Sequence, residues 1–291
     1  MVKGDRFIRK MSDVLTLNYH SCDFDYNSWA REASTTNILP AICSNRYQSK
    51  SSQENVAERK HWESFFRNHN TGNFFRPRNY LFSEFRSGLS KPNPQDGHDS
   101  LTVVEVGCGH GCSMYPLIEN LPYLTKYIAT DYSSNALEIL KEHSSYDKSR
   151  IQTALWNLTL PPDTTETFQS LSDIVICVFA LSAVEPEHHI TALKNMGLIL
   201  KPNGKILFRD YGLHDMTMYR HTTRLSEKLF ERNDRTLAYY FDLEYFREIV
   251  SKSGFTVLEL EYATVEVRNR KMENCMKRVF LHAVIQKKAD D

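Results

Sequence analysis

Three glycines at alternate positions, Gly107, Gly109 and Gly111, follow the apolar run Val103-Val104-Glu105-Val106. A β-branched run ended by glycine reads as a buried strand leading into a turn whose backbone a ligand can approach closely. Asp131 stands 20 residues beyond Gly111, at the end of the next strand-like segment. A carboxylate there can accept both ribose hydroxyls of an adenosine moiety. Position 112 is cysteine, so the Gly-x-Gly-x-x-Gly spacing that cradles a dinucleotide is met only imperfectly. The competing readings are an ordinary strand-to-helix turn for the glycines and a helix cap or solvated turn for Asp131.

Gly-x-Gly-x-Gly followed by such an acid resembles the cofactor site of class I S-adenosylmethionine-dependent methyltransferases, whose cofactor has no pyrophosphate. Asn157-Leu158 lies just past the third strand-like segment, where such enzymes place an Asp or Asn beside the adenine. A side-chain amide both donates and accepts, so Asn157 suits an adenine edge, or else is a turn asparagine. Val178 and Phe179 end the fourth strand-like segment and either wall the adenine or pack in the core. Phe208-Arg209-Asp210-Tyr211-Gly212 ends the fifth. Two charges at the end of an apolar run form either a structural Arg–carboxylate pair or a site in which Asp210 and Tyr211 face the substrate. His188-His189 reads as surface at the start of a helix, not as a metal site.

The elements that must position these groups alternate. Strands are predicted over Leu101–Val106, Lys126–Thr130, Ile151–Ala154, Asp173–Phe179 and Gly204–Phe208, with helices such as Asn135–Glu142 and Glu187–Leu200 between them. Lys201-Pro202-Asn203-Gly204 reads as the turn before the fifth strand. Tyr211–Ala238 reads as irregular, then a helix over Leu243–Lys252 stops at Gly254, and two long strands close the chain. This order predicts an α/β, Rossmann-like doubly wound sheet, mostly parallel, with one antiparallel C-terminal strand at an edge.

Ahead of that domain (101–291), residues 1–52 are rich in Ser, Asn and Thr and read as an irregular tail, some of whose aromatics (Tyr19, Phe24, Tyr26, Trp29) dock on the body. Residues 53–100 hold a helix from Glu54 to Asn68, an aromatic and basic stretch, and a linker at 87–100.

Charge balances overall, with 36 basic and 36 acidic residues, so only local clustering points to nucleic acid. Between Arg59 and Lys91 seven Lys/Arg face two acids, and between Arg268 and Lys288 seven face one. Each run is read either as part of a phosphate-binding patch or as a solvated face. The six cysteines form no CxxC pair, which argues against a zinc ribbon or a disulfide framework. The longest apolar run, Ile174–Val184, is too short to span a bilayer, and the polar N-terminus lacks a signal-peptide core. A cytoplasmic protein is expected, with the nucleus as a second compartment.

Several longer motifs are more specific than the glycines. They are Trp62-Glu63-Ser64-Phe65-Phe66, the stretch from Gly72 to Phe85, Glu105 to Gly111, Leu181-Ser182-Ala183-Val184, and Leu207 to Leu213. Over about residues 54–286 they resemble the eukaryotic methyltransferase-like enzymes that make N3-methylcytidine in the tRNA anticodon loop. The resemblance implies S-adenosylmethionine as cofactor, contacted by Trp62, Phe66, Gly107, Asp131, Asn157, Leu158 and Val178. Gly109 and Gly111 complete the cofactor turn. It also implies that residues 53–100 are an RNA-binding and cofactor-capping segment with its linker, which forms an RNA-binding element with the end of the chain, with Phe75, Arg76, Arg78, Tyr80, Arg268, Arg270, Lys271 and Lys277 as its residues. A serine, threonine or arginine tRNA is the implied partner, and an aminoacyl-tRNA synthetase such as seryl-tRNA synthetase an implied helper for some relatives. The family's Phe-Phe-Lys-Asp-Arg-His-Trp is here Phe74-Phe75-Arg76-Pro77-Arg78-Asn79-Tyr80, its usual Asp is Asn157, and its Asp-Gly-Thr-Arg loop is Asp234-Arg235-Thr236-Leu237.

Cytosine N3 carries a lone pair, so methyl transfer to it needs alignment and exclusion of water more than a strong base. N3 is hidden in a duplex, so the base must be unpaired or flipped. Asp210 is the expected partner of the exocyclic amine and Tyr211 the expected stacking or positioning group. Two other readings stand beside this one. A same-fold methyltransferase of proteins or small molecules would be indifferent to competing tRNA, and a catalytically idle RNA-binding partner would bind cofactor without transferring its methyl.

Overall fold

A computed structural model describes residues 22–43, 55–72, 74–91, 100–163, 168, 171–269 and 274–288. In chain order the elements are α1 (Tyr26–Thr36), α2 (Asn55–Asn68), the helical turn α3 (Leu81–Glu84), β1 (Leu101–Val106), α4 (Met114–Asn120), β2 (Leu124–Asp131), α5 (Ser134–Lys141), β3 (Ile151–Leu155), β4 (Ser172–Val178), α6 (His189–Leu198), β5 (Leu200–Tyr211), β6 (Thr223–Arg224), β7 (Leu229–Glu231), β8 (Leu237–Tyr239), α7 (Leu243–Lys252), β9 (Phe255–Asn269) and β10 (Asn274–Lys287).

Seven strands form one sheet in the order β3-β2-β1-β4-β5-β10-β9. The first five pair in parallel, while β10 runs antiparallel to both β5 and β9. The strand order reverses beside β1, and the crevice at the carboxyl ends of β1 and β4 is where such sheets bind ligands. One apolar cluster centred on Val104, Ile128, Val175 and Phe208 covers one face, and a second centred on Val103, Ala129, Ile176 and Leu207 covers the other. Burial on both faces is why β1 and β4 read as continuous apolar runs.

Four expectations are corrected. The antiparallel strand is not at an edge: β10 is inserted between β5 and β9, and β9 is the edge. The stretch 211–238 is not irregular, since β6, β7 and β8 form a second small antiparallel sheet. Strands of two or three residues are too short to show a period of two. The Lys201–Gly204 turn is absorbed into β5 as a bulge, with Ser172 opposite Leu200, Ile174 opposite Lys205, and Asn203 left-handed at φ 62°. Finally, the tail holds α1, capped by Asp25, which accepts the Ser28 N–H at 2.8 Å. Only Trp29 and Ala33 of α1 are buried, too few to mark a helical period in sequence.

The docking of the tail aromatics is seen directly. Tyr26 stacks on Tyr262 with ring centroids 4.0 Å apart, and the Trp29 indole N–H donates to the His214 carbonyl at 2.8 Å. The Asp23 N–H donates to the Thr264 carbonyl at 2.9 Å, so this strap covers β9, the exposed edge that would otherwise offer unpaired backbone groups. Tyr19 lies outside the described residues.

Candidate active site

β1 leads directly into Gly107, whose φ of 64° is left-handed, and a Cβ there would stand 2.7 Å from the Ala180 Cβ. Glycine is therefore what lets the turn after β1 lie against the end of β4. Gly109, also left-handed at 54°, turns its N–H to the Asp131 carboxylate at 2.8 Å. The other Asp131 oxygen accepts the Ser133 N–H at 2.9 Å. Burial pushes the Asp131 carboxyl up to about 6, with the hydrogen bonds from Ser133 and Gly109 opposing that rise. Each carboxylate oxygen keeps capacity for a further donor, as two ribose hydroxyls would require.

Asp131 lines a cavity of about 670 Å³ at the carboxyl end of the sheet. Trp62 and Phe66 of α2, Gly107, Gly109, Asn157 and Leu158 line it as well. The volume lies within the roughly 300–1,000 Å³ of small-molecule sites. A carboxylate, an amide, a glycine turn and aromatic faces are the donor and stacking groups an adenosine moiety needs, so these residues fit S-adenosylmethionine. Asn157 also serves its own turn, its Oδ1 accepting the Thr159 N–H and hydroxyl, each at 3.0 Å.

Two residues expected at the cofactor face elsewhere. Val178 is buried in the cluster with Leu207, and Phe179 is the residue that lines the cavity, because the chain leaves β4 through a left-handed Phe179 at φ 57°. Gly111 faces α4, where a Cβ would stand 2.5 Å from the Tyr115 ring, so its role is to let that helix pack.

Beyond the cofactor region the same cavity is lined by Arg78, Tyr80, Phe179, Arg209, Tyr211, Arg232, Arg278 and Phe280. Each arginine is fixed by a partner. Arg209 is ion-paired with Glu84 and sits over the Tyr80 and Phe280 rings at 4.9 and 4.2 Å. Arg278 donates through Nε to Asp215 at 2.8 Å. Arg232 donates to the Leu237 carbonyl at 2.6 Å and lies 5.5 Å from the Tyr211 ring. Arg78 donates to the Ser113 hydroxyl at 2.9 Å and lies 5.3 Å from the Phe179 ring. His282 bridges Glu84 and Glu259 at 3.2 and 3.1 Å. Burial acts to lower its pKa, but hydrogen bonding and charge from the two carboxylates outweigh that and raise it.

Tyr211 stands in the cavity wall, whereas Asp210 does not. The Asp210 side chain is fully buried and accepts the backbone N–H groups of Ser182 and Tyr211, each at 2.9 Å. It holds the turn Leu181–Ala183 against β5 and is not the substrate-facing carboxylate expected. Nor is it paired with Arg209, whose partner is Glu84. His188 and His189 are not a surface pair: His188 lines the cavity, and His189 is buried, donating to the Val184 carbonyl at 2.9 Å.

Of the expected RNA-binding residues, Phe75, Arg76, Arg78 and Tyr80 line the cavity. Lys277 instead clamps α1, paired with Glu32 at 3.0 Å and lying 4.6 Å from the Trp29 ring. Arg268 is near the end of β9, and Arg270 and Lys271 lie outside the described residues. Sequence reasoning missed the roles of Glu84, Arg232 and Phe280. The Glu84 role depends on a partner 125 positions away, which leaves no local signal.

Residues 74–260 match the family described as a methyltransferase domain. The chain is 34% identical over 245 residues to the human tRNA N(3)-cytidine methyltransferase METTL6, spanning 81% of each chain. It is 32% identical over 234 residues to the Schizosaccharomyces pombe tRNA N(3)-methylcytidine methyltransferase trm141, spanning 79% of this chain and 92% of that one. Against the Saccharomyces cerevisiae tRNA(Thr) (cytosine(32)-N(3))-methyltransferase the identity is 32% over 245 residues, 82% of this chain and 38% of that longer one. A solved S-adenosylmethionine-dependent methyltransferase from Anabaena variabilis shares the fold, with a TM-score of 0.59 at 14% identity over 79% of this chain and 95% of that one. This chain belongs to the tRNA N3-cytidine methyltransferase family.

Proposed function

We propose that the chain transfers a methyl group from S-adenosylmethionine to N3 of a cytidine in a tRNA anticodon loop. The observation that carries this is the continuity of one cavity, with Asp131, Asn157, Trp62 and Phe66 in its cofactor region and Phe179, Tyr211, Phe280 and four arginines beyond it. Bound S-adenosylmethionine supplies an electrophilic methyl on a sulfonium. The residues of the chain supply placement. Phe179 and Tyr211 present rings on which an unpaired base can stack, as loop bases of RNA do, and Phe280 backs them beneath the Arg209 guanidinium. A cytosine methylated at N3 is cationic, and aromatic faces favour such a charge. Arg209 and Arg278 are already neutralised by Glu84 and Asp215, so they contribute oriented N–H groups without a net repulsive charge.

The exposed Phe75 and Arg76, with Arg78 and Tyr80, form the side by which a loop would enter, stacking and phosphate contacts together. The resemblance favours a serine, threonine or arginine tRNA, with seryl-tRNA synthetase as the partner to test first. The decisive assay incubates purified chain, S-adenosylmethionine and tRNA lacking N3-methylcytidine, with and without the synthetase, and reads nucleosides by mass spectrometry. Appearance of N3-methylcytidine supports the reading. Methyl transfer to a protein or small molecule that excess tRNA does not compete away overturns it, as does cofactor binding with no transfer to any RNA.

A further inference from the structure

The first turn of α5 carries no acidic residue, and Ala136 occupies the third helical position, where a helix that caps itself places Glu or Gln. The missing carboxylate arrives from another helix. Glu63 of α2 accepts the Ser133 hydroxyl at 2.7 Å, the Ser134 N–H at 2.9 Å, the Ser134 hydroxyl at 2.8 Å and the Asn135 N–H at 3.1 Å. Its own carbonyl accepts from the Asn135 amide at 2.9 Å. Phe65 and Phe66 pack on Ala136 and Ile139 beside this junction.

Two of its neighbours reach the cavity. Trp62 and Phe66, one residue before and three after Glu63, line the cofactor region, and the Phe66 ring lies 3.4 Å from where a Gly109 Cβ would stand. Ser133 is shared, since its hydroxyl donates to Glu63 while its N–H donates to Asp131 at 2.9 Å. We propose that Glu63, which does not line the cavity, is the positioning residue for the cofactor: by capping α5 from α2 it holds Trp62 and Phe66 over the site and, through Ser133, orients the Asp131 carboxylate. The coupling rests on reading Asp131 as the ribose ligand. Charge-assisted hydrogen bonds of this kind are roughly twice as strong as neutral ones, so the junction is strong enough to set where α2 lies.

The test is calorimetric titration of the full chain with S-adenosylhomocysteine, with no RNA present. Glu63→Gln is expected to weaken binding about tenfold, the scale of one hydrogen bond to a charged group. In turnover, KM for S-adenosylmethionine rises by a like factor while kcat at saturating cofactor stays within about twofold, the signature of lost uniform binding. Glu63→Gln/Asn135→Asp restores an acid to the first turn of α5 from within that helix, while giving up the bond from the Asn135 amide to the Glu63 carbonyl. It is expected to recover melting temperature and leave binding weak. Should binding recover together with stability, Glu63 is a structural cap only and the proposal falls. Ser134→Ala removes a single bond and keeps the fold, so it reads the same effect at smaller size if Glu63→Gln is poorly folded. Unchanged binding in both variants also overturns the proposal. Asp131→Asn is run alongside: if it binds normally, the ribose assignment and the coupling through Ser133 fail together, whereas failure of Glu63→Gln alone leaves Asp131 in place.

Discussion

Arg209 at the end of β5 and Glu84 of α3 form an ion pair whose side chains are 3% and 2% exposed. The pair joins the segment before the sheet to the sheet itself, because Tyr80 and Phe280 enclose the guanidinium from both elements. Removing one partner of a buried pair leaves an unpaired charge, at a cost of about 3–5 kcal/mol, whereas replacing both by apolar groups is often neutral. Glu84→Gln is therefore expected to lose that much in chemical denaturation. Arg209→Met/Glu84→Leu should recover most of the stability while methyl transfer stays impaired, because the cavity loses its fixed guanidinium. Equal stability of the single and double variants would contradict this account.

Asp131 offers a pH test. Its folded value of about 6 lies above the ordinary carboxylate value, so the ionised form is disfavoured by burial and is lost as pH falls through that range. The protonated acid retains less acceptor capacity for ribose hydroxyls. Affinity for S-adenosylhomocysteine should thus decline as pH drops below about 6 and level off above it, by at most about tenfold per pH unit. The sign for folding is opposite. A raised carboxyl contributes stability when protonated, and that contribution shrinks as pH rises from the unfolded value through about 6. Asp131→Asn is expected to abolish both dependences in calorimetry and denaturation.

Lys277 separates a phosphate contact from a structural clamp. It is paired with Glu32 and lies over the Trp29 ring, so Lys277→Ala should cost about 1 kcal/mol or less and loosen α1. The salt dependence of tRNA binding should be unchanged in that variant. Arg76→Ala, at the cavity rim, should flatten the salt slope by about one counterion. The opposite pattern would return Lys277 to the RNA surface.

What the sequence revealed and what it hid follow from where the information lies. β1 and β4 were legible because burial on both faces imposes a continuous apolar run, and the C′ position at Gly254 because left-handed φ, here 83°, favours glycine. Tyr211 and Asp210 were adjacent candidates, but only the fold says which one reaches the cavity: one residue of shift on a strand reverses the face. Glu63 meets Ser133 across 70 positions and Glu84 meets Arg209 across 125, so their roles exist only in three dimensions. Lys277 counted as basic, and its count could not show that α1 and Glu32 neutralise it.

Arg235 is left-handed at φ 71° on the exposed turn between β7 and β8, at the position where the family's Asp-Gly-Thr-Arg loop has glycine. A non-glycine residue there carries about 1–2 kcal/mol of conformational strain. Part of that is offset by the entropy glycine loses on folding. Arg235→Gly is expected to raise stability by about 1 kcal/mol in denaturant titration. Arg235→Val, branched at Cβ, should lower it.

Phe179 carries the same kind of strain with a different consequence. A bulky residue at φ 57° is a conformational outlier, and it stands in the cavity wall where its ring meets Tyr211 at 5.1 Å and Phe280 at 5.5 Å. Its N–H donates to the Arg209 carbonyl at 2.8 Å, so the backbone is held while the ring is turned toward the cavity. Strain of this kind persists where the surrounding contacts over-determine it, as they do at functional sites. In Phe179→Gly the strain of about 1–2 kcal/mol is relieved while packing of similar size is lost, so stability should change little. The ring that flanks the incoming base is gone, however, and base–aromatic stacking is worth about 1–3 kcal/mol. Methyl transfer should fall by about 10- to 100-fold in kcat/KM for tRNA, with S-adenosylhomocysteine affinity nearly unchanged. A variant that loses cofactor affinity instead would place Phe179 against the adenosine and move the substrate wall to Tyr211 and Phe280 alone.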